Sequence, residues 1–511
     1  MGKFVCTMED NAKQTRINFY SNILALAANV VVGIYYTPYL VKNLGLAAYG
    51  ILPLALIINQ YISVATQTLT HAYTRFYSVA LQKGDYDEAS KDISTSMVVV
   101  LLISTLVVPL GICIVLKVDA LFQMPSELLV SAQILFGFTI LSFIVSLFSS
   151  LLNVTLYAIN RLDLMNVMKI VRTSFKLVLV VALFETIRVD VSLVGLANFL
   201  TESVVLVMSV CFFYRYKPSQ VRMSPVLFDK VVLFAIMGMS IWVLIQICGD
   251  TLLYRTDNLI VNHYWGVEAS GALGAVSEIG SYVSVIVSVI GSLFGPLILI
   301  AYAKGNHSEV KSLFVEQSTI VGCLSAVLAG TISGCGSVLL DVWLGNDMGQ
   351  YSWWLFMKML VLPYYAAGGI LAFVYRSWNK VKFPAIGTIL LGVIGVVSLV
   401  VMCEFTNHGS VMTVLIVSAI FSLLQCFVLN AVAVGNIYKD CRASFLRISF
   451  KITISFFLCF ICGRLFSSWV PINNLIQLGG LLVAVGIIMF SVVLFLILNK
   501  EERRKLFNIV K

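Results

Sequence analysis

Charge is what this sequence has least of. Only 12% of its 511 residues are Asp, Glu, Lys or Arg, against about 25% in soluble domains. That scarcity excludes a chain whose surface is mostly water-facing. Histidine is scarcer still, at 4 residues, and none stands at a metal-ligand spacing. The G-x-x-x-x-G-K-[ST] phosphate loop, the H-E-x-x-H pair and the nucleophile elbow are all absent. ATP hydrolysis, enzymatic chemistry and a bound cofactor or metal are therefore not expected. No loop is long enough to fold as a domain of its own. The 11 cysteines are scattered. Cys459 and Cys462 form a C-x-x-C inside an apolar stretch, where small-residue packing explains them better than metal or redox chemistry. The net charge is +9, but the basic residues form no continuous domain, which argues against nucleic acid.

What fills the chain is apolar sequence. Fourteen long stretches run at about 18–40, 50–69, 94–117, 128–152, 167–186, 191–213, 231–253, 270–295, 318–340, 353–374, 385–403, 411–434, 448–466 and 476–498. A helix needs about 20 apolar residues to cross a bilayer core of roughly 30 Å. The expected fold is an all-α integral membrane protein with 14 transmembrane helices. The first stretch is longer than the ~7–15 residues of a signal-peptide core, so it counts as a span. Lys and Arg fall almost entirely on alternate loops, as at Lys83, Lys91, Arg161, Lys217, Lys304, Lys311, Lys380 and Lys382. The opposite loops hold only Lys42, Lys117, Arg188 and Arg255. The positive-inside rule then places both termini in the cytoplasm.

A shift of 221 residues aligns two segments without a gap. Gly45 falls on Gly266, Gly50 on Gly271, Tyr61 on Tyr282, Lys83 on Lys304, Gly84 on Gly305 and Glu88 on Glu309. The match equates the second stretch with the eighth. An even number of stretches separates them, so the halves share one orientation, a parallel repeat. The chain reads as a six-helix lobe over 1–217, a second over 218–436, and two further helices with a basic tail over 437–511.

Leu44-Gly45-Leu46-Ala47-Ala48-Tyr49-Gly50 resembles the L-G-x-x-x-Y-G stretch of bacterial polysaccharide flippases. These belong to the multidrug/oligosaccharidyl-lipid/polysaccharide exporter superfamily. Asp257-Asn258-Leu259-Ile260-Val261 with Gly266 and Gly271 is similar to their second-half counterpart, and Lys83-Gly84-Asp85 and Lys304-Gly305-Asn306 to their cytoplasmic turns. The resemblance implies alternating access between two six-helix lobes and a polyprenyl-pyrophosphate-linked saccharide as substrate. It implies residence in a bacterial inner membrane, in contact with its lipids. Glycosyltransferases and a polysaccharide polymerase would be functional partners, and H+ or Na+ coupling stays open. The runner-up is a cation-coupled multidrug exporter of the same superfamily. The extra helices and a basic fifth stretch argue against it. A membrane polymerase or ligase would need a long outer loop with catalytic arginines, and none is evident.

The polar residues inside the stretches are the candidate site. Lys169, Arg172 and Lys176 lie three and seven residues apart, near one helix face. Each charge at mid-membrane costs roughly 2.5–3.5 kcal/mol and calls for a cavity or a partner. They read either as a cationic wall for pyrophosphate or as side chains snorkelling to the interface. Counting from the intervening turn puts Glu202 at the depth of Lys176, so those two are expected to pair. Asn18, Asn22, Asn29 and Tyr36 form one stripe on the first stretch. That stripe suits either a hydrated lumen for sugars or bonds between helices. In the second half, Glu278 and Lys358 are cavity candidates, while Asp250, Arg255 and Asp257 lie toward the outer side. Arg255 and Asp257 are expected in a solvated loop.

Overall fold

The computed structural model describes residues 8–504 except 293–297, 299–300, 303, 346, 379, 406–408, 439–440, 473 and 501. Every regular element among the described residues is helical. Fourteen long helices follow one another. They are α1 (Met8–Tyr49), α2 (Ile51–Lys83), α3 (Tyr86–Leu116), α4 (Leu129–Ala158), α5 (Leu162–Thr186), α6 (Val191–Tyr216) and α7 (Lys230–Arg255). Then come α8 (Asp257–Ser292), α9 (His307–Gly334), α10 (Ser352–Ser377), α11 (Lys382–Phe405), α12 (Val411–Gly435), α13 (Cys441–Trp469) and α14 (Leu475–Ile497).

Eleven described stretches are long and apolar enough to cross a membrane. Parts of α7 and α8 run on as one of them, and α2 and α5 are not among them. In α5 the reason is plain: Lys169, Arg172 and Lys176 interrupt the apolar run. The chain is a multi-pass integral membrane protein. In lipid every backbone group must find its partner within the helix, which is why apolar sequence here is helical sequence. The outward surfaces match. α3 turns Leu102, Leu106 and Leu110 outward, one turn apart, and buries Val100, Ser104, Val107 and Gly111.

Each expected stretch falls on one of these helices, and most helices run beyond the expected ends. The last residues of the eighth stretch, and 501 and 505–511 of the tail, lie outside the described residues. Residues 41–49, expected as a loop, are helical and kinked at Gly45 (φ 75°, ψ 164°). The corresponding kink in α8 is at Gly266 (φ 79°, ψ −176°). A left-handed φ of this kind is open to glycine and strained for other residues.

The chain divides into two compact units, Met1–Ile247 and Cys248–Lys511. In the first, α4 packs against α2, α3 and α6, and α1 packs along α5. The segment between α6 and α7 is fastened to α3. Ser90 Oγ accepts from the Arg222 amide at 2.9 Å, Ser94 Oγ from Ser224 at 3.1 Å and Thr95 Oγ1 from Asp229 at 3.0 Å. In the second unit α9 is central, against α10 and α13. Its seam with α13 is made of small residues. A Cβ on Gly330 would stand 2.6 Å from the Phe456 carbonyl and 2.7 Å from Cys459 Cβ, and one on Gly463 would stand 3.0 Å from the Thr331 carbonyl. Such contacts let helix backbones approach closely in lipid. The expected packing role of Cys459 is what the structure shows, and the last two helices are part of the second unit.

Positions 221 residues apart share local geometry. Gly84 (φ 74°) ends α2 and Gly305 (φ 73°) stands 221 residues on. Asp85 then caps α3 by accepting from the Glu88 amide, and Asn306 caps α9 by accepting from the Glu309 amide. The start of α3 at Tyr86 maps onto the start of α9 at His307, and the starts of α5 and α6 map within one residue of those of α11 and α12.

Candidate functional site

In the first unit the site is built from the start of α5 upward. Asn160 holds a left-handed conformation (φ 59°) that turns the chain from α4 into α5. Asn18 of α1 donates to the Asn160 carbonyl at 2.9 Å and accepts from the Asp163 amide at 3.0 Å. Asp163 also receives Gln14 at 2.9 Å and the Arg161 guanidinium through Nε and Nη2, each at 2.9 Å. Burial alone would raise the Asp163 carboxyl, but the Arg161 hydrogen bonds and charge outweigh it and hold the pKa below its usual value. Those same Asp163 bonds raise Arg161. This clamp fixes α5 against α1 before the first membrane-depth cation is reached.

The three cations then stand one turn after another, each with a neighbour. Lys169 donates to Asn166 Oδ1 at 3.2 Å, and Asn166 in turn donates to Ser21 of α1 at 3.0 Å. Arg172 reaches across to α6. Its Nη2 donates to Glu202 Oε2 at 2.9 Å, and its Nε lies 2.7 Å from Oε1, off the direction of a good hydrogen bond. Lys176 sits over the ring of Tyr36 on α1, 4.8 Å from its centroid, a favourable place for a cation. Tyr39, one turn on, stacks on Phe184 of α5.

Glu202 was expected to pair with Lys176, and the structure pairs it with Arg172. Depth counting sets a level along the helix but not a direction around it. Residues 172 and 176 differ by about 40° in azimuth, and α5 has α1 on one flank and α6 on the other. That angle sends Arg172 to the carboxylate and Lys176 to the tyrosine.

The α1 stripe divides between its two readings. Asn18 is buried and spent on holding the α4–α5 turn. Asn22 is half-buried and Asn29 exposed. So α1 and α6 supply polar neighbours of α5: Tyr36 meets Lys176, and Glu202 holds Arg172.

The second unit holds Glu278 and Lys358. Glu278 is half-buried on α8. Lys358 of α10 forms an ion pair with Asp257. Asp257 opens α8 and is only 5% exposed, which corrects its reading as a solvated loop residue. The first turn of a helix favours a carboxylate, and Lys358 supplies the opposite charge that burial demands.

A further polar node went unread in the sequence. Gln425 donates through Nε2 to Asp250 at 3.0 Å and to Thr388 at 3.2 Å, and Tyr254 donates to Gln425 Oε1. Gly249 makes it: a Cβ there would stand 2.6 Å from the Ile389 amide nitrogen, so α7 and α11 cross closely and bring the next residue, Asp250, inward. Gln425 opens a π-helical turn, Gln425–Leu429, a feature that often marks functional places in helices. The available signal was a lone glutamine in the apolar run from Val411.

No family model matches the sequence. The uncharacterized membrane protein EpsK of Bacillus subtilis (strain 168) is 27% identical over 443 residues, 84% of this chain and 85% of that protein. Among solved structures, an inward-facing multidrug resistance MATE family transporter of the MOP superfamily superposes with a TM-score of 0.64 at 12% identity, over 86% of this chain and 98% of that one. The lipid II flippase MurJ, in its inward closed conformation, superposes at 0.59 and 12% identity, over 94% and 98%. The chain has the fold shared by this MATE transporter and by MurJ, and it is a distant homologue of EpsK. In this fold α5 carries Lys169, Arg172 and Lys176.

Proposed function

We propose that this chain is a transporter that moves polyprenyl-pyrophosphate-linked oligosaccharide across the bacterial inner membrane by alternating access, for lipopolysaccharide or capsule synthesis. It crosses the membrane fourteen times with both termini in the cytoplasm. Residues 1–217 and 218–436 are the two six-helix lobes of a parallel repeat, and 437–511 adds two helices and a basic tail. The observation that carries the reading is the run of three cations, Lys169, Arg172 and Lys176, along the membrane stretch of α5. Pyrophosphate is the anion such a face attracts, and charge-assisted contacts are roughly twice as strong as neutral ones. Glu202 holds Arg172 until phosphate takes its place. Asn22 and Asn29 supply amides to sugar hydroxyls, and Glu278 and Lys358 extend the polar lining. Glycosyltransferases make such a substrate and a polymerase consumes it.

The test is flipping of a fluorescent lipid-linked oligosaccharide in proteoliposomes. Arg172→Ala and Lys176→Ala are each expected to lower the rate about tenfold, the effect of losing roughly 1.4 kcal/mol, at unchanged protein content. Lys176→Arg restores part of it, since guanidinium is planar and larger. Normal flipping by both alanine variants would overturn the reading.

The second reading is a cation-coupled multidrug exporter. The Asp250–Gln425 node favours it, because a carboxylate at membrane depth is costly and suits exchange of H+ or Na+. Asp250→Asn separates the two. Under the exporter reading it abolishes ion-driven drug efflux, and under the leading reading Arg172→Ala is the more damaging change.

A further inference from the structure

We propose that the second unit binds the phosphate headgroup of an anionic membrane lipid where α10 hands over to α11. A cavity of about 270 Å³ opens there, lined by Tyr375, Lys380, Lys382, Phe383, Pro384 and Asn436 among others. Its chemistry is divided. Tyr375 and Pro384 are buried and form an apolar floor, while Phe383 stands 45% exposed beside it. The two ammonium groups supply the charge. Lys380 Nζ donates to the Asn436 carbonyl at 3.3 Å, which uses one of its three donors and holds the ammonium at the end of α12. Lys382 opens α11, where the helix dipole adds to its attraction for an anion.

Size and setting narrow the ligand. The volume is near the lower end of the ~300–1,000 Å³ of sites that enclose a drug-sized molecule, which suits a phosphate with its glycerol better than a longer glycan. Next to the cavity, Trp378 packs against Tyr302, His307 and Tyr438, with ring centroids 4.7–5.9 Å apart. Such aromatic groups sit at headgroup level. Exposed Phe383 gives an acyl chain an apolar path away from the phosphate, which a free phosphate ion would not use. That this end faces the anionic inner leaflet rests on the topology proposed above, whereas binding itself does not.

The experiment is native mass spectrometry of the full-length protein in detergent, with phosphatidylglycerol or phosphatidylcholine added at equal concentration. Each lysine is expected to contribute about fivefold to retention of phosphatidylglycerol, so Lys380→Gln with Lys382→Gln loses about thirtyfold and falls to the phosphatidylcholine level. Lys380→Arg with Lys382→Arg retains binding, which separates lost charge from lost folding. Lys83→Gln with Lys91→Gln, in the first unit, leaves it unchanged. Unchanged phosphatidylglycerol adducts in the double Gln variant would overturn the proposal. So would displacement of the lipid by millimolar inorganic phosphate, which would make this a site for the free ion. Arg172→Ala leaves the adducts intact, so failure of the transport reading and failure of this one are told apart.

Discussion

On α5 of the first unit, Arg172 pairs with Glu202 of α6, while Lys169 meets Asn166 and Lys176 lies over Tyr36. The positions 221 residues on are Leu390, Val393 and Val397 of α11 and Leu423 of α12. Val393 and Val397 point outward, about half exposed. In the second unit the charges sit elsewhere and are matched: Lys358 answers Asp257, and Asp250 is held by the neutral Gln425. Other positions stay polar in both, since Asn29 maps onto Asp250 and Tyr36 onto Asp257. A common helix plan thus carries two electrostatic designs. The first unit keeps cations by giving each a polar neighbour and leaves charge over. The second neutralises its buried acid on the spot. Charge placement is set by which side chains face protein, and the repeat itself does not dictate it.

The sharpest way to break this contrast is at the matched pair. Lys358→Ala leaves Asp257 buried and alone, a situation that costs about 3–5 kcal/mol. Thermal unfolding in detergent should show a large loss, and Lys358→Met combined with Asp257→Leu should recover most of it. Arg172→Ala should cost less, because the carboxylate it leaves, Glu202, is 16% exposed against 5% for Asp257. Equal stability of the Lys358 and Arg172 variants would erase the distinction drawn between the units.

A smaller effect tests what the units have in common. Gly84→Ala and Gly305→Ala each force a side chain into the left-handed region, at about 1–2 kcal/mol. The two losses should agree within error. A cost at one site only would mean that the turns differ in how they bear on their helices.

The smallest effect belongs to the first unit alone. The lowered Asp163 carboxyl contributes stability that is fully present above its unfolded pKa of about 3.9 and is lost as pH falls through its lower folded value. Unfolding followed from pH 6 downward should show this loss below about pH 4, and Asp163→Asn should remove that part of the slope. A wild-type and variant slope that coincide would deny Arg161 its role in the clamp.

Much of this was legible in the chain. Apolar length gave the helices, and the 221-residue offset paired Gly45 with Gly266, which the structure shows as two kinks of nearly the same φ. Lys169, Arg172, Lys176 and Glu202 were also picked out from spacing, and of these the structure brings Arg172 and Glu202 together. Partners were harder. Arg172 and Lys176 differ only in azimuth, which depends on how α5 is rotated between its neighbours. Asp257 looked like a loop residue because nothing in its local sequence announces Lys358, 101 residues away. Gln425 was passed over because its importance comes from a helix crossing at Gly249, and such crossings are not written in any single segment.

The wide turn at Gln425–Leu429 has a mechanical consequence. A π turn stores one surplus residue in the helix, and it closes to an α turn if that residue is passed along. Passing it on rotates the downstream face of α12 by about 100°, one residue's worth of helix. Gln425 stands at the edge of that rotation with its amide on Asp250. The helix is therefore geared like a ratchet tooth: a slip of one residue, with no helix unwound, disengages the amide from the acid and re-engages it on return.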